Sequence, residues 1–336
     1  MSNKYWVFGQ CMATERRFRT PMTLADASMP PDLHFRCCVQ QTPVQPAAES
    51  CLYASPDTNR FGEPVVQLYA FADGYLMRFP RVADFILTPG LIDCRLMDPD
   101  LDYLVEVCLL GHVFSCYLEF SGIIALHAGA VEVEGRAVLF AADRTGGKST
   151  LVTSLVKAGF ALLADDISAL AVSGQGVRCL HGFPQLKMTP EQVRRFVASD
   201  KQYPLVHPAF EKLSVPLQAL GRAQTEPLPV AAIYLLARGA ETGEKASTQM
   251  TSLPASQAVI HLARHSFLWH LLEAQRGGKA FSGGSGSPER ADLRVGRFMR
   301  LSRIAAQVPV RHLHYPSGYQ WLPEVHRAIV DDVTTL

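Results

Sequence analysis

The 336-residue chain has no excess of charge of either sign: 32 Lys and Arg residues stand against 31 Asp and Glu, a formal net charge of +1. Proteins that hold nucleic acid or an anionic membrane surface do so with clustered basic residues and a high pI. The even balance predicts neither nucleic acid nor membrane as a partner. A nucleotide would therefore have to be held by a local site.

The eight cysteines form no C-x-x-C pair and no regular framework. Most lie in apolar runs, as the reduced and buried thiols of a cytosolic protein do. Cys37, Cys38 and nearby His34 could contribute to a zinc site, but adjacent cysteines fit the usual ligand spacings poorly. The cysteines therefore predict neither a disulfide scaffold nor a zinc fold.

The chain also lacks a long apolar run that is free of charge. Its longest apolar stretch, residues 101–126, contains Glu106 and Glu119, whose carboxylates would be costly at the centre of a bilayer. Residues 1–18 have no basic segment followed by an apolar one, so no signal peptide is expected. With 48% hydrophobic residues the chain can bury a sizeable core. We expect a cytoplasmic, globular protein with a buried helix over residues 101–120.

What the chain does contain is a strand, a glycine-containing loop and a helix in succession. Residues 137–140 are a short apolar run, residues 143–150 read Asp-Arg-Thr-Gly-Gly-Lys-Ser-Thr, and residues 151–157 have helical spacing. Such a loop turns backbone N–H groups inward, and the helix that follows adds the positive end of its dipole. The stretch therefore predicts a phosphate-binding loop.

The loop matches the pattern G-x-x-x-x-G-K-[ST] at Gly147, Lys148 and Ser149, whereas Ala142 occupies the place of the first glycine. An alanine is tolerated there if its φ stays negative. Lys148 would neutralise the β- and γ-phosphates, and the Ser149 hydroxyl would bind Mg²⁺. The alternative is a glycine-rich turn with a solvent-facing lysine. The candidate nucleotide-binding residues are Arg144, Thr145, Gly146, Gly147, Lys148, Ser149 and Thr150.

A second predicted strand, residues 160–164, ends in the carboxylates of Asp165 and Asp166. Phosphoryl transfer needs a carboxylate that binds Mg²⁺ and a base that takes the proton of the attacking hydroxyl. This pair can supply both, and the sequence leaves open which residue is the base. The carboxylates favour a phosphoryl-transfer site over a structural turn.

His127 before a strand, the loop ending in Gly-Lys-Ser, and the LLADD ending together resemble the catalytic domain of bacterial HPr kinase/phosphorylase, a Ser kinase built on a P-loop. The resemblance implies an α/β P-loop fold for residues 101–336 and the use of ATP and Mg²⁺. It also implies phosphate and Mg²⁺ contacts for Lys148 and Ser149, and roles as base and metal ligand for the two carboxylates. The candidate catalytic residues are His127, Lys148, Asp165 and Asp166, and the candidate metal ligands are Ser149 and Asp166.

Residues 1–100 do not resemble the regulatory domain of HPr kinases; their β-forming segments predict a β-rich module, a plausible surface for acceptor recognition. The overall layout is more similar to HPr-kinase-related enzymes of peptide-modification clusters, including lasso-peptide kinases that phosphorylate a C-terminal Ser. The resemblance therefore implies a Ser acceptor in a peptide or small protein. HPr kinases are hexameric, so a homo-oligomer is among the expectations. A small-molecule kinase, a nucleotide hydrolase and a binding module without activity remain alternatives.

Turn residues and β-formers organise the rest of the chain. In the first hundred residues, strands are predicted over residues 5–12 and 33–39. Asp73-Gly74 between apolar segments predicts a hairpin, and short extended pieces flank Pro89-Gly90. After the carboxylates, the Ser-Gly-Gln-Gly turn at residues 173–176 predicts another hairpin.

Later segments alternate between helices and strands. Thr189, followed by Pro and Glu, is a typical helix cap. Apolar runs predict strands over residues 229–237 and 308–315 and helices over residues 255–273 and 322–330. Residues 277–292 are rich in glycine and serine, and we expect a mobile segment there, either an expendable insertion or a flap.

Several basic residues outside the loop have no strong signal of function. His261, His265 and His270 lie at roughly helical spacing, and the first two have the i, i+4 spacing of zinc ligands without a third ligand. A solvated or half-buried helix face is favoured for them. Lys187 and Lys212 are interpreted as solvated surface residues, since that is the commoner environment of lysine.

Overall fold

The computed structural model describes residues 2–46, 50–71, 73–198, 201–208, 210–239, 247–267 and 288–336. Over these residues the chain forms two compact units. The first consists of the residues up to Ser121 together with Phe267, and the second of Gly122–Ser266 and Pro288–Leu336. The sequence predicts a boundary at residue 100, before the apolar helix, whereas the structure groups that helix with the strands that precede it.

The first unit is built on one mixed sheet. Its strands in the described residues are β1 (Asn3–Val7), β2 (Gln10–Thr14), β3 (Thr23–Leu24), β4 (Leu33–Val39), β5 (Cys51–Ala54), β6 (Gln67–Phe71), β7 (Gly74–Phe79), β8 (Ala83–Thr88) and β9 (Leu91–Leu96). They lie in the order β3-β1-β2-β4-β9-β8-β7-β6-β5. β4 pairs in parallel with β2 and β9, and the other neighbours pair antiparallel.

Residues 5–12, predicted as one strand, form a hairpin instead. Phe8 and Gly9 have positive φ angles of 49° and 74°, as in a two-residue turn that reverses the chain between β1 and β2. Phe-Gly lacks the turn signature of Asn-Gly or Asp-Gly, which is why the reversal is missed from sequence. The hairpin predicted at Asp73-Gly74 is confirmed, because β6 pairs antiparallel with β7.

An interrupted helix completes the described first unit. α1 (Asp102–Cys108) and α2 (Phe114–Phe120) are joined by a π-helical turn, Leu109–Val113, in which Gly111 departs from helical backbone angles. Glycine accepts such a distortion because it has no Cβ. The helix predicted over residues 101–120 is thus confirmed in position, with a break that apolar periodicity does not reveal.

This helix is also the one described segment that could span a membrane by length and composition. Pro99–Phe120 meets both criteria, and 56% of its most apolar part is buried inside the protein. The buried Glu106 carboxylate accepts hydrogen bonds from the backbone N–H groups of Arg19 and Thr20 at 2.9 to 3.1 Å. These contacts are those of a core helix of the first unit.

A second sheet forms the framework of the second unit. The strands described there are β10 (Ile124–Leu126), β11 (Ala128–Val133), β12 (Arg136–Ala141), β13 (Leu162–Ala164), β14 (Ser168–Ser173), β15 (Gly176–Leu180), β16 (Gln185–Met188), β17 (Leu213–Pro216), β18 (Leu228–Gly239), β19 (Gln249–Ser252) and β20 (Val310–Pro316). The sheet runs β10-β14-β15-β18-β12-β11-β13, with β20 beside β18 and β19 beside β20. β16 and β17 form a separate antiparallel pair.

Parallel pairing brings three strand ends to one edge of this sheet. β18 pairs in parallel with β12 on one side, where Ala141 lies opposite Leu235, and with β20 on the other, where Arg238 lies opposite Tyr315. The loops that follow parallel strands meet at their carboxyl edge, which is where α/β proteins bind ligands. The loop with the phosphate-binding pattern leaves β12 at this edge.

The helices of the second unit cover the sheet. They are α3 (Lys148–Lys157), α4 (Pro190–Phe196), α5 (Ala255–Arg264), α6 (Pro288–Gln307) and α7 (Leu322–Thr335). Apolar side chains of α3, α4 and α7 share one buried core with β12 and β18. The molecule described here is therefore a mixed α/β protein with two large sheets, and α3 is held by buried apolar side chains in the core of the second unit.

The predicted helices are confirmed in part. Thr189 caps α4, since its hydroxyl accepts from Gln192 N at 3.3 Å and the Gln192 side chain accepts from Thr189 N at 2.9 Å. The helix predicted over residues 255–273 ends at Arg264, and residues 268–273 lie outside the described residues. The glycine- and serine-rich residues 277–287 also lie outside them, whereas α6 begins at Pro288. Helix α6 is not predicted from the sequence, because its first half is polar and rich in arginine and therefore shows no clear apolar periodicity.

Candidate active site

The loop between β12 and α3 turns tightly before the helix begins. Ala142 keeps a negative φ, so alanine is accommodated at the place of the missing first glycine. Thr145 and Gly147 have positive φ angles of 68° and 92°, and Gly147 is the cap of α3. A hydrogen bond of 2.9 Å from Gly146 N to the Asp143 carbonyl closes the loop. The first N–H groups of α3, which have no partner within the helix, therefore face a turn suited to an anion.

Packing requires both glycines of the loop. A Cβ on Gly146 would lie 2.9 Å from the Cβ of Ala142, and a Cβ on Gly147 would lie 2.6 Å from Tyr315 Oη. Both separations are too short for van der Waals contact, so a side chain would displace its neighbour. Because residue 142 is an alanine with a Cβ, residue 146 has no room for a second Cβ and must be glycine.

Two lysines hold the Asp166 carboxylate between them. Lys148 Nζ lies 3.2 Å from Oδ1, and Lys187 Nζ lies 3.0 Å from Oδ2. Burial alone would raise the pKa of Asp166, but the positive charges of Lys187, Lys148 and Lys212 outweigh it and hold that pKa well below its usual range. Asp166 is therefore an anion at neutral pH.

The pKa of Asp165, the preceding residue, is shifted in the opposite direction. Its Oδ2 accepts a hydrogen bond of 2.9 Å from the backbone N–H of Lys187. Its Oδ1 is buried and has no hydrogen-bond partner in the described part of the chain. Burial and, second, the negative charge of Asp166 raise the pKa of Asp165. Neighbouring carboxyl groups whose pKa values are driven apart are characteristic of acid–base sites.

The backbone at Asp166 explains how two consecutive residues reach the same lysine. In an extended strand, consecutive side chains point to opposite faces. Asp166 has a φ of 65°, in the left-handed region that residues other than glycine seldom adopt. The turn ends the alternation of β13, so the main chain of Lys187 contacts Asp165 while its Nζ contacts Asp166. Backbone conformations of this kind concentrate at functional sites.

His127 lies at the same place, between β10 and β11. Its Nδ1 is 3.2 Å from the backbone carbonyl oxygen of Asp166. Since a carbonyl only accepts, Nδ1 carries the proton. Burial and, second, the charge of Lys148 lower the pKa of His127 to about 4, so the ring is neutral at neutral pH. The four candidate catalytic residues therefore form one cluster, with His127 contacting the turn at Asp166.

The remaining loop residues have different surroundings. Ser149 is half-buried, and its hydroxyl makes no hydrogen bond within the described residues. The Thr150 hydroxyl accepts a hydrogen bond of 2.8 Å from Gln192 Nε2, which ties α3 to α4. Arg144 and Thr145 are exposed at the tip of the loop. Ser149 is thus the hydroxyl of the loop that is available to a ligand, whereas Thr150 has a structural contact.

The interpretation of Lys187 as a solvated surface residue is wrong. Its side chain is 24% exposed and pairs with Asp166. A signal for this was present in the sequence, because Lys187 lies between Leu186 and Met188, and both neighbours are buried in β16. A lysine at the centre of a short apolar strand is seldom a surface residue. Lys212 is half-buried as well, and its charge helps to lower the pKa of Asp166.

His261 and His265, for which the sequence favours a solvated or half-buried helix face, make different contacts. His261 packs edge-on against His312, with ring centroids 5.2 Å apart. His265 accepts a hydrogen bond of 2.6 Å from His127 N through its backbone carbonyl, and His270 lies outside the described residues. No group of three or more His, Cys, Asp and Glu side chains in the described chain is placed to hold a metal ion. All eight cysteines lie in that part and are free thiols.

Comparison with known proteins gives one structural likeness to report. No protein-family model matches the chain, and no curated protein sequence matches it. Among solved structures, the chain is similar to the HPr(Ser) kinase/phosphatase from Coxiella burnetii, with 10% sequence identity and a TM-score of 0.31. The similarity covers 63% of this chain and 97% of the other. At that TM-score the likeness assigns no family to the chain.

Proposed function

We propose that this protein is an ATP- and Mg²⁺-dependent kinase that transfers the γ-phosphoryl group to a serine hydroxyl of a peptide or small protein. The observation that carries the proposal is the pair of adjacent carboxyl groups with opposed pKa shifts beside Lys148. Asp165, with its raised pKa, is suited to take a proton, while Asp166 stays anionic. Phosphoryl transfer uses a carboxylate of each kind.

Lys148 is the residue that would respond first to the nucleotide. Its Nζ pairs with Asp166 Oδ1 at 3.2 Å, the longer of the two lysine contacts to this carboxylate. A triphosphate held by the N–H groups at the start of α3 presents more negative charge to the same ammonium group. Lys148 would then move to the phosphates, and Lys187 would keep Oδ2 of Asp166 neutralised. ATP binding would thereby release one carboxylate oxygen.

The side chains present fit Mg²⁺. The Ser149 hydroxyl makes no hydrogen bond within the described residues, and Oδ1 of Asp166 is the oxygen that Lys148 would release. Mg²⁺ is usually bound through one or two protein oxygens together with substrate phosphates and water. Held by Ser149 and Asp166, it would neutralise charge on the β- and γ-phosphates.

Asp165 would act as the general base. Its buried Oδ1 has no partner in the described chain and can accept the proton of the serine hydroxyl. As that O–H bond breaks, the serine oxygen forms a bond to the γ-phosphorus, and the bond from this phosphorus to the ADP oxygen breaks. The products are phosphoserine, ADP and protonated Asp165. Lys148 and the loop N–H groups would stabilise the charge on the transferred group.

The form of the acceptor is proposed from the sequence resemblance described above. A serine at the C terminus of a ribosomally made precursor peptide is one form, and an internal serine is another. The first unit is proposed as the surface that recognises the acceptor. The balanced charge of the chain supports an enzyme whose partners are neither nucleic acid nor membrane. Its cysteines, which suit reduced thiols, support a cytoplasmic location.

Mass spectrometry of two serine peptides tests the proposal. One peptide carries an internal serine and the other a C-terminal serine, and each is incubated with Mg²⁺-ATP. The wild type should add one phosphate to at least one of them. Asp165→Asn should still bind ATP but transfer phosphate more slowly by roughly 100-fold or more. Asp331→Asn, which changes an exposed carboxylate of α7, should behave as the wild type.

Two other outcomes would change the interpretation. Steady ADP release without a phosphopeptide would favour a nucleotide hydrolase or a small-molecule kinase. Transfer at an unchanged rate by Asp165→Asn would show that Asp165 is not the base.

A further inference from the structure

Arg238 lies beside the loop that precedes α3, at the carboxyl end of β18. It is in register with Tyr315 of β20, so the two side chains project from the same face of the sheet. A Cβ on Gly147 would lie 3.8 Å from Arg238 Cδ, in addition to its contact with Tyr315 Oη. Tyr234, four positions earlier on the same face, packs in the core that α3 shares. The Arg238 side chain is therefore placed at the amino-terminal end of α3.

No described residue neutralises this arginine. Arg238 is exposed, and its guanidinium makes neither a hydrogen bond nor an ion pair within the described residues. A positive side chain at the N terminus of a helix is electrostatically unfavourable, because the helix dipole is positive there. Lys148 is at the same end of α3. An anion bound beside Arg238 and Lys148 would make the interaction of Arg238 with its surroundings favourable.

The usual interpretation of an exposed arginine is a solvated surface residue. Arg327 of α7 illustrates that class, since it is exposed while the neighbouring His326 contacts Ser154 near the carboxyl end of α3. Arg238 differs in its place, because its Cδ lies 3.8 Å from the position that a Cβ on Gly147, the cap of α3, would take. Arg327 is therefore the control, an exposed arginine on another helix.

We propose that Arg238 binds the phosphate chain of the nucleotide, as a second cation beside Lys148. This inference rests on the proposed function and adds to it a phosphate-binding residue that lies outside the loop and on a different strand. The planar guanidinium carries donors whose spacing suits two phosphate oxygens at once.

Isothermal titration calorimetry with Mg²⁺-ATP and with inorganic tripolyphosphate tests this role without an acceptor. Arg238→Gln should weaken the binding of both by roughly tenfold or more, because a charge-assisted contact is lost. Arg238→Lys should bind with intermediate affinity, since a lysine keeps the charge and loses the paired donors. Arg327→Gln should bind both probes as the wild type does.

Thermal unfolding without nucleotide separates this role from a structural one. Because Arg238 has no partner in the described chain, Arg238→Gln should melt at the same temperature as the wild type or higher. Wild-type affinity of Arg238→Gln for both probes would overturn the role of Arg238 and leave the proposed kinase intact. A loss for ATP but not for tripolyphosphate would also overturn it, since the contact would then be to the base or ribose. Failure of the wild type to bind Mg²⁺-ATP would overturn the proposed function together with this inference.

Discussion

Asp165 and Asp166 are adjacent in the chain, yet their surroundings give them opposite acidities. Lys148 and Lys187 contact only the second carboxylate with their ammonium groups, while the first accepts a backbone N–H and buries its other oxygen. Desolvation raises the pKa of a carboxyl group, and a nearby positive charge lowers it. The difference supports the proposal that Asp165 is the base, because a carboxyl group of raised pKa is better matched to proton transfer near neutral pH.

The pKa shift of Asp165 predicts how its replacement changes stability. A folded-state pKa above the unfolded value favours folding at low pH, and this contribution is lost as pH rises through the folded pKa. Asp165→Asn, which cannot ionise, should therefore melt higher than the wild type at neutral pH. The difference in melting temperature between Asp165→Asn and the wild type should vanish below the ordinary aspartate pKa of about 4.

Thermal unfolding followed across this pH range checks the prediction, with Asp331→Asn as the control that should show no such trend. Destabilisation of Asp165→Asn at neutral pH would mean that the Asp165 carboxylate is stabilised by the fold, contrary to its burial beside Asp166.

At the scale of the element, β12, α3 and the glycine-containing loop between them form one packed unit. Gly147 needs its positive φ to cap α3, and the space beside it is taken by Tyr315 from β20. The loop is therefore shaped by a strand that is distant in sequence as well as by its own residues. The same strand end brings Arg238 into register with Tyr315.

Gly147→Ala tests both the positive φ at residue 147 and the space limited by Tyr315. The backbone strain should destabilise the protein by about 1–2 kcal/mol, and the clash with Tyr315 Oη should add to it. Mg²⁺-ATP affinity should fall as well, because the first N–H groups of α3 would shift. Gly174→Ala, at a turn where no atom lies within 4 Å of the added Cβ, is the matched control.

A double variant completes the test, and urea denaturation measures each stability. Adding Tyr315→Phe removes the clashing oxygen and should recover part of the loss, leaving the backbone strain. Additive effects of the two substitutions would show that the contact between Gly147 and Tyr315 is not close.

At the scale of the whole molecule, the chain forms two compact units, each with its own large sheet. The cluster around Asp166 lies entirely in the second unit, and so do the loop, Arg238 and Tyr315. A ligand that binds only the folded second unit should stabilise that unit, by about 2.7 kcal/mol at a concentration one hundred times its dissociation constant.

Differential scanning calorimetry should therefore show two unfolding transitions, and Mg²⁺-ATP should raise the melting temperature of one of them. Glu106→Gln should lower the melting temperature of the other transition. Glu106 in α1 accepts backbone N–H groups with both carboxylate oxygens, whereas an amide offers only one acceptor oxygen. Lys148→Met should abolish the shift caused by Mg²⁺-ATP. A single transition that moves with both changes would mean that the units unfold together.

Local chemistry made much of the second unit predictable. The apolar run, the glycines and the apolar periodicity determined β12, the loop and α3, since backbone preference and hydrophobic spacing act over a few residues. The capping Thr189 and the hairpin at Asp73-Gly74 follow from the same short-range rules. The turn at Phe8-Gly9 and helix α6 are not predicted from the sequence. Phe-Gly is not a common turn pair, and the polar, arginine-rich first half of α6 shows no clear apolar periodicity.

Tertiary structure alone decided the electrostatics of the site. Lys187 reaches Asp166 from β16, His127 from the segment before β11, and Arg238 approaches the loop from β18. Such neighbours depend on strand order and register, which set distances between residues far apart in the chain. The amino-acid sequence thus determined that a glycine-containing loop between a strand and a helix and two adjacent carboxyl groups exist. The fold determined which of the two carboxyl groups has the lowered pKa, because a pKa depends on burial and on charges within a few ångströms.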